Sequence, residues 1–158
     1  MTTKDAFTED DWTRVRRAPL VAGLAISIAD PGGPIEAAKE SMATLKNAVN
    51  PPTHEQLLTE VALDIQTMSQ SRENPLKGFK PSGPNPGEAV LDELRGVLTI
   101  VSAHATPEES AAFGAWLVAA AQAAAEAAKD GGFLGFGAQQ VSAREQAMVD
   151  QVRAAVAG

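Results

Sequence analysis

Signals that start an α-helix recur along this chain, and the segments they open carry apolar residues three and four apart. Thr53 with Gln56, Thr106 with Glu109 and Ser142 with Glu145 each place a capping hydroxyl three positions before an acid or amide, and Thr8 with Asp11 comes close to the same pattern. That spacing satisfies two orphan N–H groups at a helix start. Asn85, Pro86 and Glu88 form a further start, with proline in the first turn and an early acid. Apolar stripes follow: Ile35, Ala38, Met42, Leu45 and Val49; Leu57, Leu58, Val61, Ile65 and Met68; Val90, Leu91, Leu94, Val97, Leu98 and Val101; Met148, Val152, Ala155 and Val156. No segment shows strand alternation. The expectation is an all-α, single-domain bundle of six or seven helices, with Pro19 kinking the first helix or splitting it in two.

A chain of 158 residues is most simply one domain. Residues 72–85 are rich in Pro, Gly and Asn and read as a connection between halves 1–71 and 86–158. The alanine-rich segment opened by Thr106 can be approached closely on several faces, which predicts a central position in the bundle.

Composition narrows the function. There are no cysteines, which excludes disulfides, thiolate metal sites and cysteine nucleophiles and favours the cytoplasm. The opening "MTTKDAFTEDD" is not a secretory signal. The longest nearly apolar run, "APLVAGLAISIA", is 12 residues, too short to cross a bilayer. A net charge of -7 argues against nucleic acid as a partner. The basic cluster Arg14, Arg16 and Arg17 reads as a solvated helix face.

Two stretches echo each other. In each, an N-capped helix carries a Trp and an Ala run, ends in Asp30 or Asp130, passes through a Gly-Gly turn, and enters a helix bearing Glu36 or Glu145. This predicts two approximately repeated helical hairpins. An acid at a helix C-terminus opposes the helix dipole by about 0.3–1 kcal/mol. One reading makes Asp30 and Asp130 turn residues and Glu145 a capping residue. The other lets the acids converge on a hard divalent cation, which prefers carboxylate oxygens. Glu145 lies on its helix's apolar stripe and Glu126 one turn before Asp130, and an acid facing a core edge needs a partner. The candidate metal residues are therefore Asp30, Glu36, Glu126, Asp130 and Glu145, with Ca²⁺ or Mg²⁺ as the cation.

Named motifs fail on inspection. Read from Asp130, a calcium loop would need a bidentate Glu where Val141 stands. A phosphate-binding loop needs Gly-Lys-Ser/Thr after a strand, and neither is present. His54 and His104 are the only histidines, and neither has a histidine partner at helical spacing. The loop "GGFLGFGAQQ" sets Phe133, Leu134 and Phe136 among glycines. Either it folds back over the bundle, or it is an apolar tip for a protein partner or for self-association. Only Lys129 and Arg144 lie near it, which argues against an anionic membrane surface.

The stretches "ADPGGPIE" and "KDGGF…VSARE", each joining two helices, resemble the tellurite-resistance TerB family. The resemblance covers residues 18–49 and 113–157. It implies a compact helical bundle, an acidic metal site at Asp30, Glu36, Asp130 and Glu145, and a non-enzymatic role in bacterial stress response or protein assembly. This chain has Asp30-Pro31 where the family has Asp-Gly, and a longer second loop. The functional expectation is a small acidic binding or scaffold module. The alternative is a metal-dependent enzyme using Glu126, Asp130 and Glu145.

Overall fold

Four of the five start signals close as hydrogen bonds in the computed structural model, which describes residues 2–129 and 141–157. Among the described residues there are six α-helices: α1 (Glu9–Ala29), α2 (Pro34–Ala48), α3 (Gln56–Gln70), α4 (Pro86–His104), α5 (Pro107–Lys129) and α6 (Ala143–Val156), preceded by a short 3-10 turn at Lys4–Ala6. The described part of the chain is all-helical. Thr8 accepts from Asp11 N at 3.1 Å and Asn85 from Glu88 N at 3.2 Å. Thr106 accepts from Glu109 N and Ser142 from Glu145 N, each at 3.1 Å. Each such cap is worth about 1 kcal/mol. Asp130, Phe133, Leu134 and Phe136, and with them the second Gly-Gly turn, lie outside the described residues.

Three local expectations give way to tertiary structure. First, of the kink or split expected at Pro19, the split does not occur: α1 runs as one helix through Pro19, which is buried with its neighbours Ala18, Leu20, Val21, Ala22 and Gly23. Proline in a helix interior costs about 3 kcal/mol. Burial on all sides against the other five helices outweighs it. Second, α3 does not start at Thr53. Its cap position is Glu55, whose side chain makes no capping bond. The N–H of Leu57 is satisfied from another helix, by Glu109 Oε2 at 3.4 Å.

Third, α2 turns the N-terminal part of its expected apolar stripe outward, while Leu45 and Val49 pack against the core. Ile35 is 72% and Met42 73% exposed, and Ala38 is exposed beside them. The buried residues of α2 are Glu40, Thr44 and Ala48. The reason lies on α1. Gly23 and Ser27 bring a small, polar surface to the contact. That surface accepts the short side chain of Thr44 and gives Glu40 a hydrogen-bond donor.

Helices α1 and α5 form the centre, each packing on every other helix. On α5 the fully buried residues are Phe113, Trp116, Leu117 and the alanines 120, 121, 124 and 125. Phe113 and Trp116 meet edge to face at 5.9 Å. The alanines let α1 and α2 approach closely. The two indole N–H groups tie helices together: Trp12 donates to Asp64 on α3 at 2.7 Å, and Trp116 to the Asn47 carbonyl on α2 at 3.2 Å. No helix among the described residues is long and apolar enough to cross a membrane.

Candidate functional site

The first hairpin brings its acids to one place through ordinary helix-end geometry. α1 ends at Asp30, whose N–H still bonds to Ile26 O at 3.2 Å. Pro31, Gly32 and Gly33 turn the chain, and Pro34 begins α2. Glu36, in the first turn of α2, folds back over Gly32. Its Cβ and carboxyl carbon lie within 3 Å of where a β-carbon on Gly32 would be. One turn further on, Glu40 points into the protein and is only 2% exposed. Ser27 Oγ on α1 donates to Glu40 Oε2.

Glu145 comes from α6. Its Oε1 accepts from Ser142 N at 3.0 Å, completing the capping box. Its Oε2 is buried and has no hydrogen-bond partner. An unpartnered buried acceptor costs about 1–3 kcal/mol, and more when charged.

These acids feel one another. Burial pushes the Glu40 carboxyl above its ordinary range, the Ser27 hydrogen bond opposes that shift, and the charges of Glu145, Glu36 and Asp30 push it up further. Three residues expected from the sequence (Asp30, Glu36 and Glu145) thus lie within electrostatic reach of a fourth acid. Among the described residues, no ion pair includes any of the four. Glu126 sits elsewhere: it is exposed and lines a shallow groove between α2 and α5, with Ala43 and Lys46. Asp130 lies outside the described residues.

Sequence reasoning missed Glu40. The one available signal was its i, i+4 relation to Glu36, a like-charge pair on one helix face that is unfavourable without compensation.

Beside Glu40 a cavity of about 70 Å³ opens between α1 and α2. Leu20, Leu24 and Leu76 form apolar walls, and Ser27, Glu40 and Thr44 line its polar part. Leu76 belongs to the 72–85 connection, which therefore covers this side of the α1–α2 contact.

No protein-family model matches this chain, and neither does any curated protein or solved structure.

The donor set is all oxygen, as a hard cation requires. Among the described residues, no group of three or more His, Asp or Glu side chains is placed to hold a metal ion by itself. What remains is a pair of buried carboxyls, Glu40 and Glu145, flanked by Asp30 and Glu36. Such a pair can hold a proton, or it can hold a cation that keeps much of its water.

Proposed function

We propose that this protein is a small acidic, non-enzymatic helical binding module whose carboxyl focus takes a hydrated divalent cation, Mg²⁺ or Ca²⁺. The observation that supports this reading is Glu145 Oε2, a buried oxygen without a partner, within electrostatic reach of the buried Glu40. Both groups gain from a positive charge. Mg²⁺ commonly takes one or two carboxylates and retains several waters, so two protein carboxyls suffice. Asp30 and Glu36 add negative potential without having to be ligands. The likeness of the two hairpins to the TerB family extends the proposal to a role in stress response or protein assembly.

A cation that binds only the folded state stabilises it by mass action. Millimolar Mg²⁺ or Ca²⁺ should raise the melting temperature of the wild type and give heat in isothermal titration calorimetry. Glu145→Gln and Glu40→Gln should lose most of that response while remaining folded. If the wild type gives no heat and its melting temperature does not move, the reading is wrong.

A further inference from the structure

The N-terminal part of the α2 apolar stripe, Ile35, Ala38 and Met42, is unused by the core and unused by the acidic focus on the opposite side of the helix. Its residues follow a heptad. Ile35, Met42 and Val49 take one seam position, Ala38 and Leu45 the other, and Lys39 and Lys46 both fall on the same flank. Leu45 and Val49 are partly buried against the core, whereas Ile35, Ala38 and Met42 face solvent. The seam therefore emerges from the bundle along α2 towards its N-terminus. Lys39 and Lys46 are exposed, and among the described residues no ion pair includes either. A groove between α2 and α5 runs alongside. Lys46, on the flank of the seam, and the exposed Glu126 of α5 both line the groove, and Ala43, Ala123 and Ala127 give it small walls.

We propose that this face docks an acidic amphipathic helix of a partner protein, packed along α2 in coiled-coil fashion. Charge selects the partner. The chain carries a net charge of -7, yet the α2 side of this flank carries Lys39 and Lys46, with Glu126 facing Lys46 from α5 only at the groove. A second copy of α2 gains nothing here. Antiparallel pairing sets lysine flank against lysine flank, and parallel pairing sets the lysines opposite Ser41 and Ala48. A helix with apolar seam residues and glutamates on its flanks covers Ile35, Ala38 and Met42 and pairs both lysines. This is the helix-on-groove mode of recognition, anchored at positions one and two turns apart.

The test uses the full chain and a synthetic helical peptide about three heptads long, with Leu at both seam positions and Glu on both flanks. A control peptide carries Lys in place of every Glu. NMR titration should shift the amides of α2 and the facing part of α5 with the acidic peptide and not with the control. Lys39→Glu/Lys46→Glu should weaken binding about tenfold or more at low salt, and Met42→Asp should abolish it. All three substitutions are on the exposed face, so circular dichroism and melting temperature should match the wild type. Equal binding of the two peptides would overturn the proposal, as would shifts confined to other helices. So would a dimer of the wild type in sedimentation that Met42→Asp dissociates, which would assign the face to a second copy. Binding to vesicles of phosphatidylcholine with phosphatidylserine, lost in the lysine variants, would assign it to a membrane and equally overturn it.

Discussion

Thr44 fills the space that a β-carbon on Gly23 would need: its own Cβ would lie 2.8 Å from that carbon, and its methyl and hydroxyl closer still. Contacts that short cannot persist, so α1 and α2 are as close as they are because residue 23 has no side chain. The same closeness lets Ser27 reach Glu40. Gly23→Ala should therefore cost about 1–3 kcal/mol, the usual range for overpacking a tight contact. This outweighs the roughly 1 kcal/mol that alanine gains over glycine in a helix. Urea denaturation measures it. Thr44→Ala in the same chain should recover part of the loss by removing the hydroxyl and methyl. A Gly23→Ala variant as stable as the parent would mean that α2 can shift away from α1 without cost.

Glu93 on α4 clamps α1. Arg14 meets Glu93 Oε1 at 2.8 Å and Arg17 meets Oε2 at 3.2 Å. Arg14 also lies where a β-carbon on Gly96 would be, so its guanidinium rests directly on the α4 backbone. The Arg17 and Glu93 side chains are only 13% and 12% exposed, and removing one partner leaves the other charge poorly solvated. Glu93→Ala should cost about 3 kcal/mol, the low end for breaking a buried pair. Asp92→Ala, which removes the exposed Arg95–Asp92 pair, should fall within about 1 kcal/mol of the wild type. Chemical denaturation of the two variants side by side checks the contrast.

Helix ends were legible in the sequence because capping is local. Thr8, Asn85, Thr106 and Ser142 each complete their bonds within three residues. Thr53 misled because the first turn of α3 is capped by Glu109, which is 52 positions away in the chain. The stripe of α2 was legible as a stripe, yet its direction was not. A periodic pattern reports that a helix has two faces, and the opposing helix decides which one is buried. Here Gly23 and Ser27 select the polar side. Asp30, Glu36 and Glu145 stood out as acids at helix ends. Their neighbour Glu40 did not, because nothing local distinguishes it from a solvated glutamate. The placement of Glu145, on α6, within electrostatic reach of Glu40 is a tertiary fact with no local signal.

Glu40 should set one limb of the stability–pH curve. Burial and the charges of Glu145, Glu36 and Asp30 hold its folded carboxyl above the ordinary value of 4.5, against the opposing Ser27 hydrogen bond. The folded state thus keeps a proton that the unfolded chain releases. Stability contributed by this group is full below the unfolded value and declines as pH rises through the raised folded value. Glutamine cannot ionise and removes that slope. Glu40→Gln, measured by urea denaturation without divalent cations, should therefore gain on the wild type as pH rises above 4.5, until the pH passes the raised folded value. A constant difference between the two proteins over that range would show that Glu40 ionises without cost.

Glu109 should set the opposite limb. It joins the start of the chain to two helix starts. Its oxygens accept from Thr2 N at 3.1 Å, Thr2 Oγ1 at 2.6 Å, Leu57 N at 3.4 Å and Thr106 N at 3.5 Å. Burial pushes this carboxyl up, but the hydrogen bonds from Thr2, Thr106 and Leu57 prevail and hold it below its usual range. The unfolded chain therefore takes up the proton first as pH falls. The stabilisation is complete above the unfolded value of 4.5 and disappears as pH drops through the lower folded value. Glu109→Gln keeps the shape but turns an amide NH₂ toward donors that need an acceptor. At pH 7 it should lose about 1–3 kcal/mol, the cost of leaving buried donors unsatisfied. Near pH 3 the gap to the wild type should shrink, because below 4.5 the unfolded wild-type chain takes up a proton at this carboxyl and the wild type loses that stabilisation. Urea denaturation at pH 7, 5 and 3 gives both quantities, and a gap that widens towards low pH would contradict the assignment.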